Sequence, residues 1–262
     1  MFSRLGLFAV SLPWALTAQT EPPSPKELIA RAKSAQQAQD DRAWKYTYRE
    51  DSDESQIDKN GQPMTPRRKT YEHIMLEGAE YKKLVLIDGK SLDAKTQKKI
   101  DTDLEKERAN RRKHGVLPRF HREFDSSDLD LVDRFFEKKV TGEETVLGRR
   151  TWRMESEPRP GTYKPANTKE QQALATRQIY WFDQQDGMEV KEHIEFIRAA
   201  NGFQPGTTIA VEFGKIGDDW LTDNVTFRPN LKLAFGIGLR EEVHSRFYDY
   251  KRFTVDSTFT PQ

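Results

Sequence analysis

Apolar and polar residues alternate with a period of two along much of the chain, and the runs are separated by short turn signals. "RAWKYTYRED" puts Trp44, Tyr46 and Tyr48 on one face, and "DKNGQP" after it carries the turn pair Asn60-Gly61. "RKTYEHIMLEG" places Tyr71 and Met75 on one face and Ile74 and Leu76 on the other. "EYKKLVLIDGK" follows across Gly78-Ala79 and predicts the partner strand of a hairpin. After Val140 the pattern returns in "TVLGRRTWRMESEP", where Trp152 and Met154 share a face. "RQIYWFDQQDGMEVKEHIEFIRA" predicts two strands around Gln185-Asp186-Gly187, with Met188, Val190, Ile194 and Phe196 on one face. "GTTIAVEFGKIGDDWLTDNVTFRPN" repeats the device, with Ile209, Val211 and Phe213, a turn at Gly217-Asp218, then Leu221, Val225 and Phe227. The final run offers Val243 and Phe247, then Phe253, Val255 and Phe259. Consecutive strands joined by short turns predict an antiparallel meander.

Three segments carry the helical period instead. "SPKELIARAKSAQQAQ" has Ser24 as N-cap, Pro25 at the first helical position and Glu27 at capping-box spacing, with Leu28, Ile29, Ala32 and Ala35 on one face. Residues Ala94–His114 predict a charged helix with only Ile100 and Leu104 apolar at i, i+4; it closes on basic residues and Gly115. The basic end predicts either a solvated helix terminus or a docking surface for acidic partners or phospholipid headgroups. Asp125–Lys139 is a further helical candidate, with Leu129, Val132, Phe135 and Phe136 on its apolar face.

The chain has 262 residues, which fits one large domain. Apolar residues make up 35% and charged residues 32%, the balance expected of a sheet with one wet face. Forty-three basic and 42 acidic residues leave +1, so no global field favours nucleic acid. Residues 1–18 predict a secretory signal: one basic residue in "MFSR", the charge-free run "LGLFAVSLPWALTA", then "QTEPPSP". That run is too short for a confident membrane span, so residues 19–262 are expected to form a single exported, periplasmic domain, not an integral membrane protein. There is no cysteine and hence no disulfide framework.

Catalytic signatures are absent from the sequence. The five histidines, His73, His114, His121, His193 and His244, lack metal-ligand spacing, and neither HExxH nor GxSxG occurs. No cofactor and no enzymatic activity are expected. The abundant element is aromatic: 15 Phe, 8 Tyr and 5 Trp, many at period two. They predict a filled core or the wall of an apolar cavity, and such a cavity binds by buried area, at about 25 cal/mol per Å².

The order of elements resembles the LolA-like family of periplasmic lipoprotein carriers, with LppX-like and RseB-like relatives. The resemblance is carried by "VTGEETVLGRRTWRMESEPRPG", by "IYWFDQQDGMEVKE", similar to the family's paired strands, and by the closing "YDYKRFTVDSTF". It implies an α+β, mainly β fold: a half-open antiparallel β-barrel whose concave face is covered by helices. It also implies binding of lipid or lipoprotein acyl chains, in outer-membrane lipoprotein sorting or in sensing. The charged helical insertion at about 94–128 departs from that pattern, and no lid-locking residue is carried over. The candidate wall of the cavity is Tyr71, Met75, Trp152, Met154, Val190, Ile194, Phe196, Val211 and Phe213. The alternative is a non-enzymatic envelope interaction protein whose barrel is filled by its own side chains and whose insertion docks a protein partner.

Overall fold

The computed structural model describes residues 21–43, 46–57, 64–115, 129–161, 163–232 and 238–252. The expected signal segment, Trp44, the Asn60-Gly61 turn, His121, Phe253, Val255 and Phe259 lie outside them. In chain order the elements are α1 (Pro25–Ala43), β1 (Tyr46–Gln56), β2 (Arg67–Leu76), β3 (Ala79–Ile87), β4 (Lys90–Ser91), α2 (Ala94–His114) and α3 (Leu129–Phe135). There follow β5 (Phe136–Val146), β6 (Arg149–Pro158), α4 (Thr168–Ala173), β7 (Thr176–Asp183) and β8 (Glu189–Phe196). The last are β9 (Thr208–Ile216), β10 (Asp219–Arg228), β11 (Asn230–Lys232) and β12 (Gly238–Arg252).

The sheet is antiparallel throughout and runs β4-β3-β2-β1-β12-β10-β9-β8-β7-β6-β5, with the short β11 beside β12. It curves without closing, so the architecture is the mainly β half-open barrel with helices that the sequence led us to expect. The strands form two local meanders, β1 to β4 and β5 to β10. β12 joins them, pairing Phe247 with Glu50 on one side and Ser245 with Val225 on the other. The two edges are blunt. β4 has two residues, and β5 carries a bulge between Val140 and Gly142 and exposed Glu137, Lys139 and Glu143.

Helix α1 forms where its cap says it should. The Ser24 amide donates to Glu27 Oε2 at 2.8 Å, and the Glu27 amide donates back to Ser24 Oγ at 3.3 Å. Its apolar ridge, Leu28, Ile29 and Ala32, is buried against Leu129 and Val132 of α3 and against Phe136, Trp152, Met154, Tyr180 and Phe182 of the sheet. A second cluster, Met188, Val190, Val211, Phe213, Trp220 and Val225, meets Ala35 and Phe247. Burying Leu28 and Ile29 contributes about 1.5–3 kcal/mol each, far more than the half-exposed Lys33–Asp130 ion pair to α3.

The structure corrects the sequence reading at two points. The helix read at Asp125–Lys139 is described only from Leu129, and it ends at Phe135. Phe136 begins β5 with no exposed surface, because Phe136 to Lys138 pair with Pro158 to Ser156 and sheet hydrogen bonds replace the helical ones. Leu221 does not share a face with Val225 and Phe227. A bulge between Thr222 and Asn224 adds one residue to β10, so Thr222 opposes Phe213 while Leu221 opposes Gly214. The short α4 and β4 gave no sequence pattern that was read.

Gln39 is buried and clasps the backbone of Trp220 from both sides: its Nε2 donates to the Trp220 carbonyl and its Oε1 accepts from the Trp220 amide at 2.8 Å. Gln39→Leu is expected to cost about 1–3 kcal/mol by leaving those groups with fewer partners. At about 2–4 °C per kcal/mol for a chain of this size, calorimetry should read a lowered Tm.

Candidate functional site

Every residue opposite another across an antiparallel pair shares its face. The concave face therefore passes from Met154 to Tyr180, Glu192, Val211, Val225, Ser245, Ser52 and Lys69. It has two halves of different chemistry.

The first half spans β5 to β10 and is mostly apolar. Trp152 and Met154 pack beneath α1 and α3 beside Tyr180 and Phe182, whose rings stack at 5.7 Å. Val190, Val211 and Phe213 join Met188, Trp220 and Val225 next to it. Ile194 is half-buried opposite Ile209. Phe196 is buried apart from these, in a small cluster with Ala175, Ala200 and Phe203. Polar groups are also buried in this half: the Tyr180 hydroxyl donates to Gln178 and Gln178 Nε2 donates to Thr176 along β7, and Glu189 and Glu192 of β8 lie opposite Phe182 and Tyr180. Tyr71 and Met75 sit on β2, half-buried and across β1 and β12 from the rest. The sheet thus brings Trp152, Met154, Val190, Val211 and Phe213 together and leaves Tyr71, Met75 and Phe196 apart.

The cover over this half is pinned at few polar points. Arg31 Nη2 donates to the Gln184 carbonyl at 3.1 Å, in the turn between β7 and β8. That turn is organised by Asp183, whose Oδ1 accepts from the amides of Gln185 and Asp186 and whose carboxylate pairs with Arg149 at 2.6 Å. Burial alone would push the Asp183 carboxyl up, but Arg149 and the turn amides hold it below the usual range. Gly187 follows at φ +74° directly under Arg31.

The second half, on β1, β2, β3 and β12, is polar and carries no helix among the described residues. α2 packs on the other face, where Arg111 lies over Tyr81 and donates to the carbonyls of Leu76 and Ala79. On the concave side, Glu50 and His73 are buried and linked at 2.9 Å. Glu50 also accepts from Ser245 Oγ at 2.7 Å and pairs with Lys82 at 2.8 Å. Burial pushes Glu50 up, yet His73, Lys82 and Ser245 outweigh it and hold the carboxyl at about 2. Tyr48, Tyr71, Phe247 and Tyr250 surround the group, with Lys82 Nζ 4.3 Å from the centre of the Tyr71 ring. Sequence reading missed this cluster because its members are up to 195 positions apart. The available signal was the inward-facing alternation of Tyr48, Glu50 and Ser52.

The basic end of α2 is neutralised locally. Arg112 pairs with Glu77, Arg108 with Glu105 and Arg111 with Glu107. Among the described residues no group of three or more His, Asp or Glu is placed to hold a metal ion, and no helix is long and apolar enough to cross a membrane.

No family model and no curated protein matches the chain. Solved structures of similar fold align along most of it. A DUF1329 family protein from Desulfovibrio piger is 14% identical with a TM-score of 0.39, over 89% of this chain and 94% of that one. A putative outer membrane lipoprotein-sorting protein domain from Vibrio parahaemolyticus is 11% identical at 0.40, over 89% and 95%. The lipoprotein LppX of Mycobacterium tuberculosis is 9% identical at 0.33, over 89% and 100%. These likenesses concern the fold alone.

Glu50→Ala removes a partner from two buried or half-buried cations and is expected to destabilise by about 3–5 kcal/mol. Because the folded Glu50 carboxyl sits near 2, its contribution is present above the ordinary carboxyl range and fades as pH falls toward 2. Acid unfolding followed by circular dichroism should therefore begin at higher pH in the Glu50→Ala chain.

Proposed function

We propose that this protein is a periplasmic carrier or sensor of lipidic ligands, holding acyl chains on the concave face of the half-barrel. The observation that carries the reading is the nature of the cover. The apolar face is closed by a helix pair, chiefly through Leu28, Ile29 and Ala32, and not by a second sheet. A helix held by one apolar ridge and a few polar pins can lift as a unit and leave an apolar trough behind. Trp152, Met154, Val190, Val211 and Phe213 would then floor the trough, with Ile194 and Phe196 at one end and Tyr71 and Met75 on the polar half. A thioether and large rings make an adaptable wall for a flexible chain. Export rests on the charge-free run from Leu5 to Ala18. The role is binding and not catalysis, with outer-membrane lipoprotein sorting as one setting for it.

The second reading is an envelope interaction protein with a filled barrel. It is favoured by Met154, Tyr180 and Phe182, which have no exposed surface with α1 in place.

A reversible lock separates the two. The chain has no cysteine, and a Cβ at Gly187 would lie 3.3 Å from that of Arg31. Arg31→Cys with Gly187→Cys places the pair close to disulfide geometry, about 3.5–4.5 Å between Cβ atoms. The carrier reading expects the reduced double variant to bind a fluorescent fatty acid, the oxidised form to bind at least tenfold more weakly, and dithiothreitol to restore binding. Equal binding in both forms would put the ligand outside the space under α1. No binding in either form or in the parent protein would favour the filled barrel.

A further inference from the structure

We infer that His73 is a protonation-controlled clamp, which in its charged form holds β1, β2 and β3 together at the uncovered end of the concave face. The inference is independent of the carrier reading and rests on how the ring is surrounded. His73 Nε2 lies 2.9 Å from Glu50 Oε2 on β1, and Nδ1 lies 2.8 Å from Glu80 Oε1 on β3. A neutral imidazole has one donor and one acceptor nitrogen. In the neutral form one ring nitrogen would therefore aim its lone pair at a carboxylate oxygen. Only the imidazolium satisfies both sides.

The other groups facing the ring favour the same state. Glu50 is ionised across the neutral range, as its carboxyl sits near 2. Glu80 also accepts from the Tyr48 hydroxyl at 2.9 Å through Oε2. Tyr48 stays protonated, since burial and then Glu80 push its hydroxyl far up. Its ring stacks on His73 at 4.3 Å and 13°, where the face of a tyrosine attracts a cation. Ser245 and Phe247 approach from β12, the first donating to Glu50 and the second with its ring 6.3 Å from the imidazole. Tyr71 lies beside Lys82, and the Tyr250 ring packs tilted against Tyr48 at 4.9 Å. Lys82 opposes it, since it shares Glu50 Oε2 with His73. Two carboxylates and two cations balance when His73 is charged, and deprotonation leaves one negative charge in excess in a mostly buried site. Burial draws the imidazole down, but the bonds to Glu50 and Glu80 outweigh it and raise its pKa.

The clamp bridges strands, so its state sets how firmly the β3–β4 edge is held. A folded-state pKa above the unfolded one contributes stability that is fully present below about 6.5 and is lost as pH rises through the folded value. The edge should loosen on the alkaline side, at β3 before the helix-covered half.

The test uses the full chain. A ¹H–¹³C NMR titration of the histidine Cε1 protons is expected to place His73 above a free histidine and above His193, which burial draws down. From pH 6 to 9, Tm should fall in the parent chain and fall much less in His73→Gln. Protection of the Lys82 and Leu84 amides, taken relative to the base-catalysed intrinsic exchange rate at each pH, should fall over the same range in the parent alone. Glu80→Gln, at a carboxylate that is 43% exposed, keeps the test available if His73→Gln does not fold; it should shift the His73 titration down by half a pH unit or more. A His73 resonance titrating at or below the free value, or a Tm profile unchanged by His73→Gln, would overturn the clamp.

Discussion

A sheet that curves without closing leaves its apolar face in need of a cover, and the rest of this structure follows from how that cover is supplied. A closed barrel would fill its interior from all sides, and a sandwich would bring a second sheet. Here an N-terminal helix lies across the face with one ridge, and a seven-residue helix fills the gap beside it. The capping box at Ser24 and Glu27 starts the helix where the sheet needs it, and Gln39 fastens its other end to Trp220. The apolar ridge contributes the energy, while the polar contacts set the register.

That cover reaches only part of the face, and the remainder solves the same problem by other means. On β1 to β3 the inward Glu50, His73 and Lys82 are charged or chargeable and pair with one another. The convex-side pairs Arg68–Asp53 and Arg49–Glu72 are exposed enough to contribute about 0–1 kcal/mol each. The Glu50–His73 pair is buried, so its neutrality matters far more than theirs.

The sequence exposed the local parts of this design. Period-two runs and their turns located β1 to β3 and β6 to β10, and the cap residues of α1 and the stop at Gly115 located both long helices. Bulges hid some facing, because one added residue between Thr222 and Asn224 reverses every later side chain. Phe136 was misread because a short helix ran into a strand without a turn between them. That Trp152, Met154, Val190, Val211 and Phe213 are buried was legible, since burial follows hydrophobicity. Their division from Tyr71, Met75 and Phe196 was not, since that depends on strand order. The His73 cluster was invisible for the same reason.

The place of β12 in the sheet has a consequence for how the protein comes into being. A chain that is threaded out N-terminal end first lets each meander pair locally as it appears. The strand that unites them is the last to arrive, and its contacts with β1 reach back across almost the whole length already made. Until then β1 and β10 each present a bare edge, at the stage when a nascent chain is most prone to stick to its neighbours. A folding helper that shields those two strands would act in the interval before β12 docks.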